Sequence, residues 1–286
     1  MILVTGAAGK TGRAILRALA GSGEPTRALI RRSEQSSGVK ALGAREAVVG
    51  DLRKRESLGR AIDGVRVVYL ICPNVSPDEV EIGRSIIGAC RQAGVERVVY
   101  HSVLHPQIEA MPHHWSKLRV EELLLASNLD FTILQPAAYM QNVLAQRRSI
   151  VEEGVYPVPY AASTRLGMID LADVAEVAAR VLTEQGHERA TYELASDEVL
   201  TQSEVAEHLS RVLARPVRVE EVLREEWEAQ ARLRGVPDFS INCLLAMFRY
   251  YERCGFWGNG RVLAALLGRP AVAFGTFARE ALSAEM

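Results

Sequence analysis

The amino-acid sequence predicts an α/β protein with a doubly wound parallel sheet and a smaller, mainly helical C-terminal lobe. Two observations carry this prediction. Short β-branched segments alternate with helical segments up to residue 135, and the alternation becomes looser beyond residue 136. We therefore expect one domain over residues 1–150 and a lobe over residues 151–286. The lobe is expected to pack on the carboxyl edge of the sheet and to complete the fold and the substrate pocket.

Six short apolar runs are interpreted as buried parallel strands, because helices cover both faces of such a sheet. They are residues 2–5, 26–31, 45–50, 65–71, 96–102 and 131–134. Between them, apolar residues recur at helical spacing. This pattern predicts helices over residues 9–21, 56–64, 77–94 and 116–127.

Beyond residue 136 the sequence predicts helices over residues 137–150, 170–184 and 203–214. Asp170 or Asp173 is well placed to cap the second of these helices, and Ser203 opens the third. The remaining segment is rich in aromatic residues. We interpret them mainly as core, with an apolar substrate pocket as the alternative.

The composition is that of an ordinary globular protein. With 286 residues, 48% hydrophobic and 24% charged residues and a net charge of −1, the chain lacks the basic surface that binds nucleic acid or an anionic membrane. No apolar run is long enough to span a bilayer and the N-terminus lacks a signal-peptide pattern, so we expect a cytoplasmic protein. We expect it to be a monomer or a homodimer. The four cysteines lack CxxC spacing and are expected to be reduced. We expect no metal site, because His105, His113 and His114 have no cysteine or carboxylate at ligand spacing.

The sequence TGAAGKTG, residues 5–12, follows a predicted strand and opens a predicted helix. In that context the glycines indicate a dinucleotide-binding turn of the Rossmann type. Gly6 permits the tight turn, Gly9 permits close approach of a pyrophosphate, and Gly12 permits close packing of helix and strand. Backbone N–H groups at the helix start would face the phosphates. The candidate cofactor residues here are Gly6, Ala8, Gly9, Lys10, Thr11 and Gly12. The alternative is a tight turn without a ligand.

The second strand indicates which cofactor binds. About 20 residues after the glycines, NAD-binding domains carry an acidic residue for the ribose 2′-hydroxyl, whereas NADP-binding domains offer arginine. Here the strand ends in Arg31 and Arg32, and Glu34 follows both. Because a guanidinium pairs with a 2′-phosphate, we expect NADP(H). The alternative is two solvated arginines.

Several segments together resemble the NmrA-like family of atypical short-chain dehydrogenase/reductases. They are TGAAGKTG, RALIRR, VVGDL, AGVERVVYHS, KLRVEELLLASNLDFTILQPAAYMQN and IDLADVAEVAARVL, and they span residues 1 to 215 in order. This combination is far more specific than the glycine motif alone. The resemblance implies a Rossmann fold and reduction of dyes, quinones or related compounds with NADPH.

The resemblance also implies roles for further residues. Asp51 and Leu52 would hold the adenine, and the segment Ile71, Cys72 and Pro73 would line the ribose side of the cofactor. The residues expected beside the nicotinamide are Pro136 and Ala137, and those expected to border the substrate pocket are Tyr139, Met140 and Asn142. For Asp51, a helix N-cap is an alternative compatible with the ligand role.

Standard short-chain dehydrogenases place a Tyr-x-x-x-Lys pair on one face of the helix after the fifth strand, with a serine at the end of that strand. This sequence keeps Lys117 and Ser102 but has His113 at the tyrosine position. Either His113 donates the proton, since imidazole titrates near neutral pH, or water or Lys117 delivers it. We favour a Lys117 contact with the ribose hydroxyls. Ser102 is expected near the nicotinamide and, with Lys117 and His113, is a candidate catalytic residue. The alternatives are a solvated Lys117–Glu121 pair, a capping or surface His113 and a satisfied strand-end hydroxyl on Ser102. Trp115 is interpreted as core or pocket wall.

These residues predict an NADP(H)-dependent oxidoreductase that transfers hydride to a small apolar or conjugated organic acceptor, such as a quinone, a dye or a conjugated carbonyl or imine. The alternative from another class is a non-catalytic regulator of the same family that senses NAD(P). Retention of Lys117 favours the enzyme. An epimerase is disfavoured, since abstracting a carbinol proton needs the missing tyrosine.

Overall fold

The computed structural model describes residues 1–283, which form two compact units. The first unit comprises Met1–Gln107, His113–Gln135 and Val174–Tyr192; the second comprises Ile108–Pro112, Pro136–Asp173 and the chain from Glu193 onward. These units are sets of residues that pack together. Each unit draws on several separate chain segments, so the expected domain boundary at residue 150 stays a prediction.

The first unit is built on a sheet whose first six strands pair in parallel. The strands are β1 (Ile2–Val4), β2 (Thr26–Ile30), β3 (Glu46–Val49), β4 (Val67–Leu70), β5 (Arg97–His101) and β6 (Asp130–Pro136). With β10 (Ala190–Leu194), they lie in the order β10-β6-β5-β4-β1-β2-β3. Because 3-2-1-4-5-6 is the order of a doubly wound dinucleotide-binding sheet, the predicted fold class is confirmed.

Helices separate these strands in the chain. They are α1 (Lys10–Leu19), α2 (Ser36–Lys40), α3 (Arg55–Ile62), α4 (Glu79–Ala93) and α5 (Pro112–Leu125), followed later by α6 (Leu171–Thr183). Every residue of β1 and β4 is buried, as expected for central strands covered on both faces. The first strand is central because Ile2 pairs with Thr26 on one side and with Val67 on the other.

The second unit combines helices with two small sheets, in the orders β11-β9-β7 and β12-β8. Its strands are β7 (Ala138–Tyr139), β8 (Val155–Val158), β9 (Arg165–Ile169), β11 (Val199–Thr201) and β12 (Arg218–Glu221). Its helices are α7 (Gln202–Leu213), α8 (Arg224–Leu233), α9 (Asp238–Cys254), α10 (Arg261–Leu267) and α11 (Phe274–Ser283). Aromatic rings form part of its core: Trp227 meets Phe248 edge-on at 4.8 Å, and Tyr251 stacks on Phe256 at 4.9 Å.

Two predicted helix starts are wrong. The helix expected over residues 116–127 begins at Pro112, because proline is well suited to a first helical turn. Thr201, rather than Ser203, caps α7: its side chain accepts a hydrogen bond from the Glu204 N–H, and the Glu204 carboxylate accepts from the Thr201 N–H. The cap of α6 is Asp170, whose carboxylate accepts from the Ala172 N–H at 2.9 Å.

The helix predicted over residues 137–150 is confirmed only in part, because the chain is helical from Met140 onward but not before it. The segment opens with β7, continues as a 3₁₀ helix (Met140–Gln146) and ends in a π turn (Ser149–Glu153). The strand forms because Ala138 and Tyr139 pair with Met168 and Ile169 of β9. A pairing partner 30 residues away in the sequence therefore overrides the local helical pattern.

The expectations about cysteines and membranes concern the whole chain. All four cysteines are free thiols, as predicted, and three of them are buried. Across residues 1–283, no helix combines the length and apolarity that crossing a membrane requires. Within the same range, no group of three or more histidine, cysteine or acidic side chains is arranged to hold a metal ion.

Candidate functional site

The glycine turn between β1 and α1 has the tight geometry that the sequence predicts. Gly6 has a φ of +57°, a left-handed conformation that favours glycine. A Cβ atom on Gly12 would lie 2.4 Å from the Gly6 carbonyl oxygen and 2.6 Å from the Ala7 Cα. Both neighbours are backbone atoms that cannot rotate away. Only glycine therefore allows α1 to start this close to the turn.

The start of α1 is suited to an anion. Gly9 is the N-cap and has no side chain to accept hydrogen bonds, and the first helical turn contains no acidic residue. The first N–H groups of a helix have no acceptor within the helix, and the helix dipole adds a partial positive charge there. A pyrophosphate supplies both the acceptors and the negative charge. The residues present therefore fit the phosphates of a dinucleotide.

The turn is tied to the end of β4. The Thr5 hydroxyl donates to the Ile71 carbonyl at 2.9 Å and accepts from the Ile71 N–H at 2.7 Å. A Cβ on Gly6 would lie 3.3 Å from the Ile71 Cβ. The structure thus brings together two groups of predicted cofactor residues, the glycine turn and the segment that begins at Ile71. Within that segment, Cys72 is buried and Pro73 is half-buried.

The predicted adenosine-side residues follow β2 and β3. Both arginines, Arg31 and Arg32, are exposed. Their backbone N–H groups donate to the Gln35 side-chain oxygen at 3.0 and 3.1 Å. The Arg31 guanidinium lies 3.3 Å from the Asp51 carboxylate. Asp51 is not the N-cap of α3, which is Lys54. Leu52 is buried beside Asp51. Two exposed arginines therefore follow β2, where NADP-binding domains offer arginine, and their role toward a 2′-phosphate stays a prediction.

Lys117 belongs to a buried polar cluster. Its ammonium donates to the Glu79 carboxylate at 2.8 Å and to the His101 carbonyl at 3.3 Å, and it lies 5.4 Å from the centre of the Tyr100 ring. The Tyr100 hydroxyl donates to the same Glu79 oxygen at 2.9 Å. The alternative of a solvated Lys117–Glu121 pair is wrong, because the Lys117 ammonium bonds to Glu79.

The buried environment of this cluster shifts the pKa values of Lys117 and Cys72. Burial alone would lower the pKa of Lys117, but the adjacent Glu79 carboxylate and other nearby groups, Glu121 among them, together outweigh burial and raise that pKa above its usual value. Glu79 is 1% exposed, so its polar contacts are with Lys117, Tyr100 and Cys72 rather than with bulk water. Burial, together with Glu79, raises the pKa of the Cys72 thiol well above its usual value. At neutral pH the Lys117 side chain is therefore a charged ammonium and the Cys72 side chain is a neutral thiol.

Ser102 and Glu121 form a second buried group. The Ser102 hydroxyl donates to the Glu121 carboxylate, which also accepts from the Gln135 amide at 3.0 Å on each oxygen. Burial raises the pKa of Glu121, while these hydrogen bonds oppose the rise. The Ser102 hydroxyl has a partner within the protein, as the satisfied strand-end alternative expects. Its predicted catalytic role remains a prediction.

His113 is neither a surface residue nor an ordinary titrating imidazole. Burial, and then the nearby Lys117 charge, lower its pKa to about 4, and burial lowers the pKa of His114 to about 3. The Nδ1 atom of His113 is buried and makes no hydrogen bond to the residues that the structure describes. His113 is therefore neutral at neutral pH, contrary to the expectation that it titrates there. Trp115 is 37% exposed, so it is not a core residue.

The predicted nicotinamide-side and substrate residues lie in the second unit. Pro136 and Ala137 are buried, and the Ala137 N–H donates to the Leu194 carbonyl at 2.9 Å. Met140 is fully buried, and the remaining two predicted substrate residues are the half-buried Tyr139 and the exposed Asn142. Their predicted roles remain predictions.

Sequence reasoning missed Glu79, Tyr100 and Gln135. A signal for Glu79 was available. It lies on α4 at helical spacing from Ile82, Gly83 and Ile86, which are all buried, so a carboxylate stands on the apolar face of the helix. A buried carboxylate needs a cationic or hydrogen-bonding partner. The identity of that partner follows only from the packing of α4 against α5.

Together, the doubly wound sheet, the glycine turn and the uncapped helix start define a Rossmann-type nucleotide-binding protein. The profile of the NmrA-like family matches residues 1–263. The chain belongs to the NmrA-like family, as its sequence motifs predict.

Known relatives match almost the whole chain. An NAD(P)H azoreductase of Xenophilus azovorans is 31% identical over 288 residues, covering 98% of this chain and 97% of the relative. Quinone oxidoreductase 2 of Escherichia coli is 27% identical and covers 94% of each chain. Among solved structures, the triphenylmethane reductase of Citrobacter sp. complexed with NADP(H) has a TM-score of 0.85 and 27% identity, covering 98% of this chain and 100% of that one.

Proposed function

We propose that this chain is an NADP(H)-dependent reductase that transfers hydride to a small apolar or conjugated organic acceptor of the quinone or dye class. The observation that carries the proposal is the half-buried Lys117 ammonium held by the buried Glu79 carboxylate, in a chain with a dinucleotide turn. Its full-length relatives include an azoreductase and a quinone oxidoreductase. A purely structural lysine does not require this combination.

The chain's own residues would hold the cofactor in three places. The N–H groups at the start of α1, in the segment Gly9, Lys10 and Thr11, bind the pyrophosphate. Arg31 and Arg32 bind the 2′-phosphate through charge-assisted hydrogen bonds, with Asp51 orienting Arg31. When bound, NADPH supplies the hydride, and an acceptor that gains a hydride and one proton is reduced by two electrons.

Lys117 would bind the ribose hydroxyls. A lysine ammonium has three N–H donors, and two are used by Glu79 and the His101 carbonyl. Among residues 1–283 no hydrogen-bond acceptor is present for the third, which would be available to a ligand. Because Glu79 fixes the ammonium, little side-chain entropy is lost when the ribose binds. Glu79 is thus a positioning residue for Lys117.

Water is the proton source that this cluster favours. Lys117 has a raised pKa and gives up its proton reluctantly, while His113 is neutral at neutral pH. Quinones and cationic dyes suit such a site, since they accept hydride without a strong enzymic acid at the reacting atom. Carbonyl substrates of ordinary ketone type need that acid and are expected to be poor acceptors.

The double substitution Arg31→Ala and Arg32→Ala is expected to remove most of the preference for NADPH over NADH. Each lost charge-assisted hydrogen bond to the 2′-phosphate weakens NADPH binding by roughly 1.5–3 kcal/mol, whereas NADH has no such group. Dissociation constants of both nucleotides are measured by titration calorimetry. Arg91→Ala, at an exposed arginine in the last turn of α4, is the control and should keep the preference. Equal affinities for NADPH and NADH in the unmodified chain would refute the assignment.

Turnover distinguishes the reductase from the non-catalytic sensor. Purified protein is mixed with NADPH and, in turn, a quinone, a cationic triphenylmethane dye, an azo dye and a simple ketone, and absorbance of the reduced nicotinamide is followed. We expect rapid oxidation with the quinone or dye class and little with the ketone. Tight NADPH binding without turnover on any acceptor would favour the sensor.

A further inference from the structure

An open cleft of about 340 Å³ in the second unit contains none of the residues assigned above to the cofactor. It is lined by Ala110, Ala246, Arg249, Tyr250 and Arg253. Four of these belong to α9 and follow each other at spacings of three, one and three residues. One face of the helix therefore forms most of the lining. Ala110 comes from the separate segment Ile108–Pro112.

The two arginines give the cleft a positive charge that the protein does not neutralise. Among the described residues, no carboxylate lies within 4.0 Å of the guanidinium of Arg249 or Arg253. The neighbouring acid, Glu252, is engaged elsewhere: it binds the Arg224 guanidinium at 2.6 Å and the Ala161 N–H at 3.1 Å. Like charges one helical turn apart destabilise a helix, so this arrangement favours an external anion.

The rest of the cleft is apolar. Ala110 and Ala246 are too small to fill it, and the Tyr250 ring lies 6.0 Å from the Arg253 guanidinium. A volume of this size is at the lower end of the range for small-molecule sites. An occupant therefore needs a compact, flat apolar body as well as a negative charge.

We propose that this arginine cleft binds a small aromatic anion through a carboxylate or sulfonate group. The planar guanidiniums of Arg249 and Arg253 match such an oxyanion, since each presents paired N–H donors. The aromatic body lies against Tyr250 and the two alanines, where offset stacking is favourable. This site is independent of the proposed cofactor contacts.

Naphthalene-2-sulfonate tests the proposal directly, with the neutral naphthalene-2-sulfonamide as its isostere. Binding to the purified full chain, without nucleotide, is measured by titration calorimetry at two salt concentrations. We expect saturable sulfonate binding that weakens with salt, and at least about tenfold weaker binding of the sulfonamide, the size of one charge-assisted hydrogen bond. Equal binding of the two probes, or no saturable sulfonate binding at millimolar concentration, would overturn the proposal.

Two variants locate the site. The double substitution Arg249→Gln and Arg253→Gln, and separately Ala246→Trp, which fills the cleft, should each weaken sulfonate binding by about tenfold or more. The matched control, Arg261→Gln with Arg279→Gln, removes the same charge from exposed positions of α10 and α11 and should leave binding within about twofold. NADPH affinity should be unchanged in all three proteins. Equal losses in the control would show non-specific attraction and overturn the proposal.

Discussion

Lys117→Met is expected to lower both the stability of the protein and its affinity for NADPH. Removing the ammonium leaves Glu79 as a buried carboxylate beside the neutral Tyr100 hydroxyl and Cys72 thiol, without its cationic partner, which costs about 3–5 kcal/mol of unfolding free energy. Loss of the ribose contact should weaken NADPH binding by roughly 10–100-fold, the effect of one charge-assisted hydrogen bond. Chemical denaturation and calorimetry measure the two quantities.

A second substitution separates the structural role of Lys117 from its role in binding. Adding Glu79→Gln to Lys117→Met removes the uncompensated charge and keeps an oxygen for the Tyr100 hydroxyl. More than half of the lost stability should return, while NADPH affinity and turnover stay low. Recovery of both together would mean that Lys117 acts only through folding and never touches the cofactor.

His113→Ala is the companion variant on the same helix. Because His113 is neutral at neutral pH and has no hydrogen-bond partner at Nδ1 among the described residues, we expect little change in NADPH affinity or turnover. A turnover loss of ~10²–10⁴-fold confined to this variant, with rescue by added imidazole, would make His113 the general acid.

Gly12→Ala is expected to damage the nucleotide turn. The new Cβ would stand 2.4 Å from the Gly6 carbonyl oxygen, so the turn or the start of α1 must move. Overpacking of this kind costs on the order of 1–3 kcal/mol of stability. The same movement displaces the N–H groups at the helix start, and NADPH affinity should fall by roughly 10–100-fold.

The matched control for this substitution is Gly88→Ala. Gly88 lies inside α4, where an added Cβ would have no neighbour within 4 Å. Alanine there should stabilise the protein by up to about 1 kcal/mol through helix propensity and leave NADPH binding unchanged. If Gly12→Ala behaves like Gly88→Ala, the close approach at the turn is not needed for nucleotide binding.

Much of the first unit was predictable because its signals are local. Each β-branched run between helical patterns marks a strand of the sheet, and the glycines stand at the turn where only they fit, as the contacts of Gly12 show. Strand order then follows from the rules for parallel sheets. The arginines after β2 were equally predictable as cofactor residues, since their distance from the glycines and their place at the end of the second strand can be taken from the sequence alone.

What the sequence could not predict depends on distant partners. Strand β7 exists because it pairs with β9, although its local pattern is helical. The Lys117–Glu79 pair joins residues 38 positions apart, and its formation depends on how α4 and α5 pack. Nearer residues such as Glu121 looked like suitable partners by helical spacing. Likewise, the low pKa of His113 follows from burial, which its polar neighbours in the sequence conceal.

Hydride transfer from NADPH to a carbon acceptor is the central claim, and isotope transfer tests it most directly. The protein is incubated with a cationic triphenylmethane dye and NADPH carrying deuterium at C4 of the nicotinamide, in separate reactions for the two faces. The reduced dye gains a carbon–hydrogen bond that does not exchange with water, so mass spectrometry records its origin. We predict one deuterium per reduced dye from one labelled face and none from the other. Reduced dye without deuterium from either face would show that NADPH does not donate the hydride.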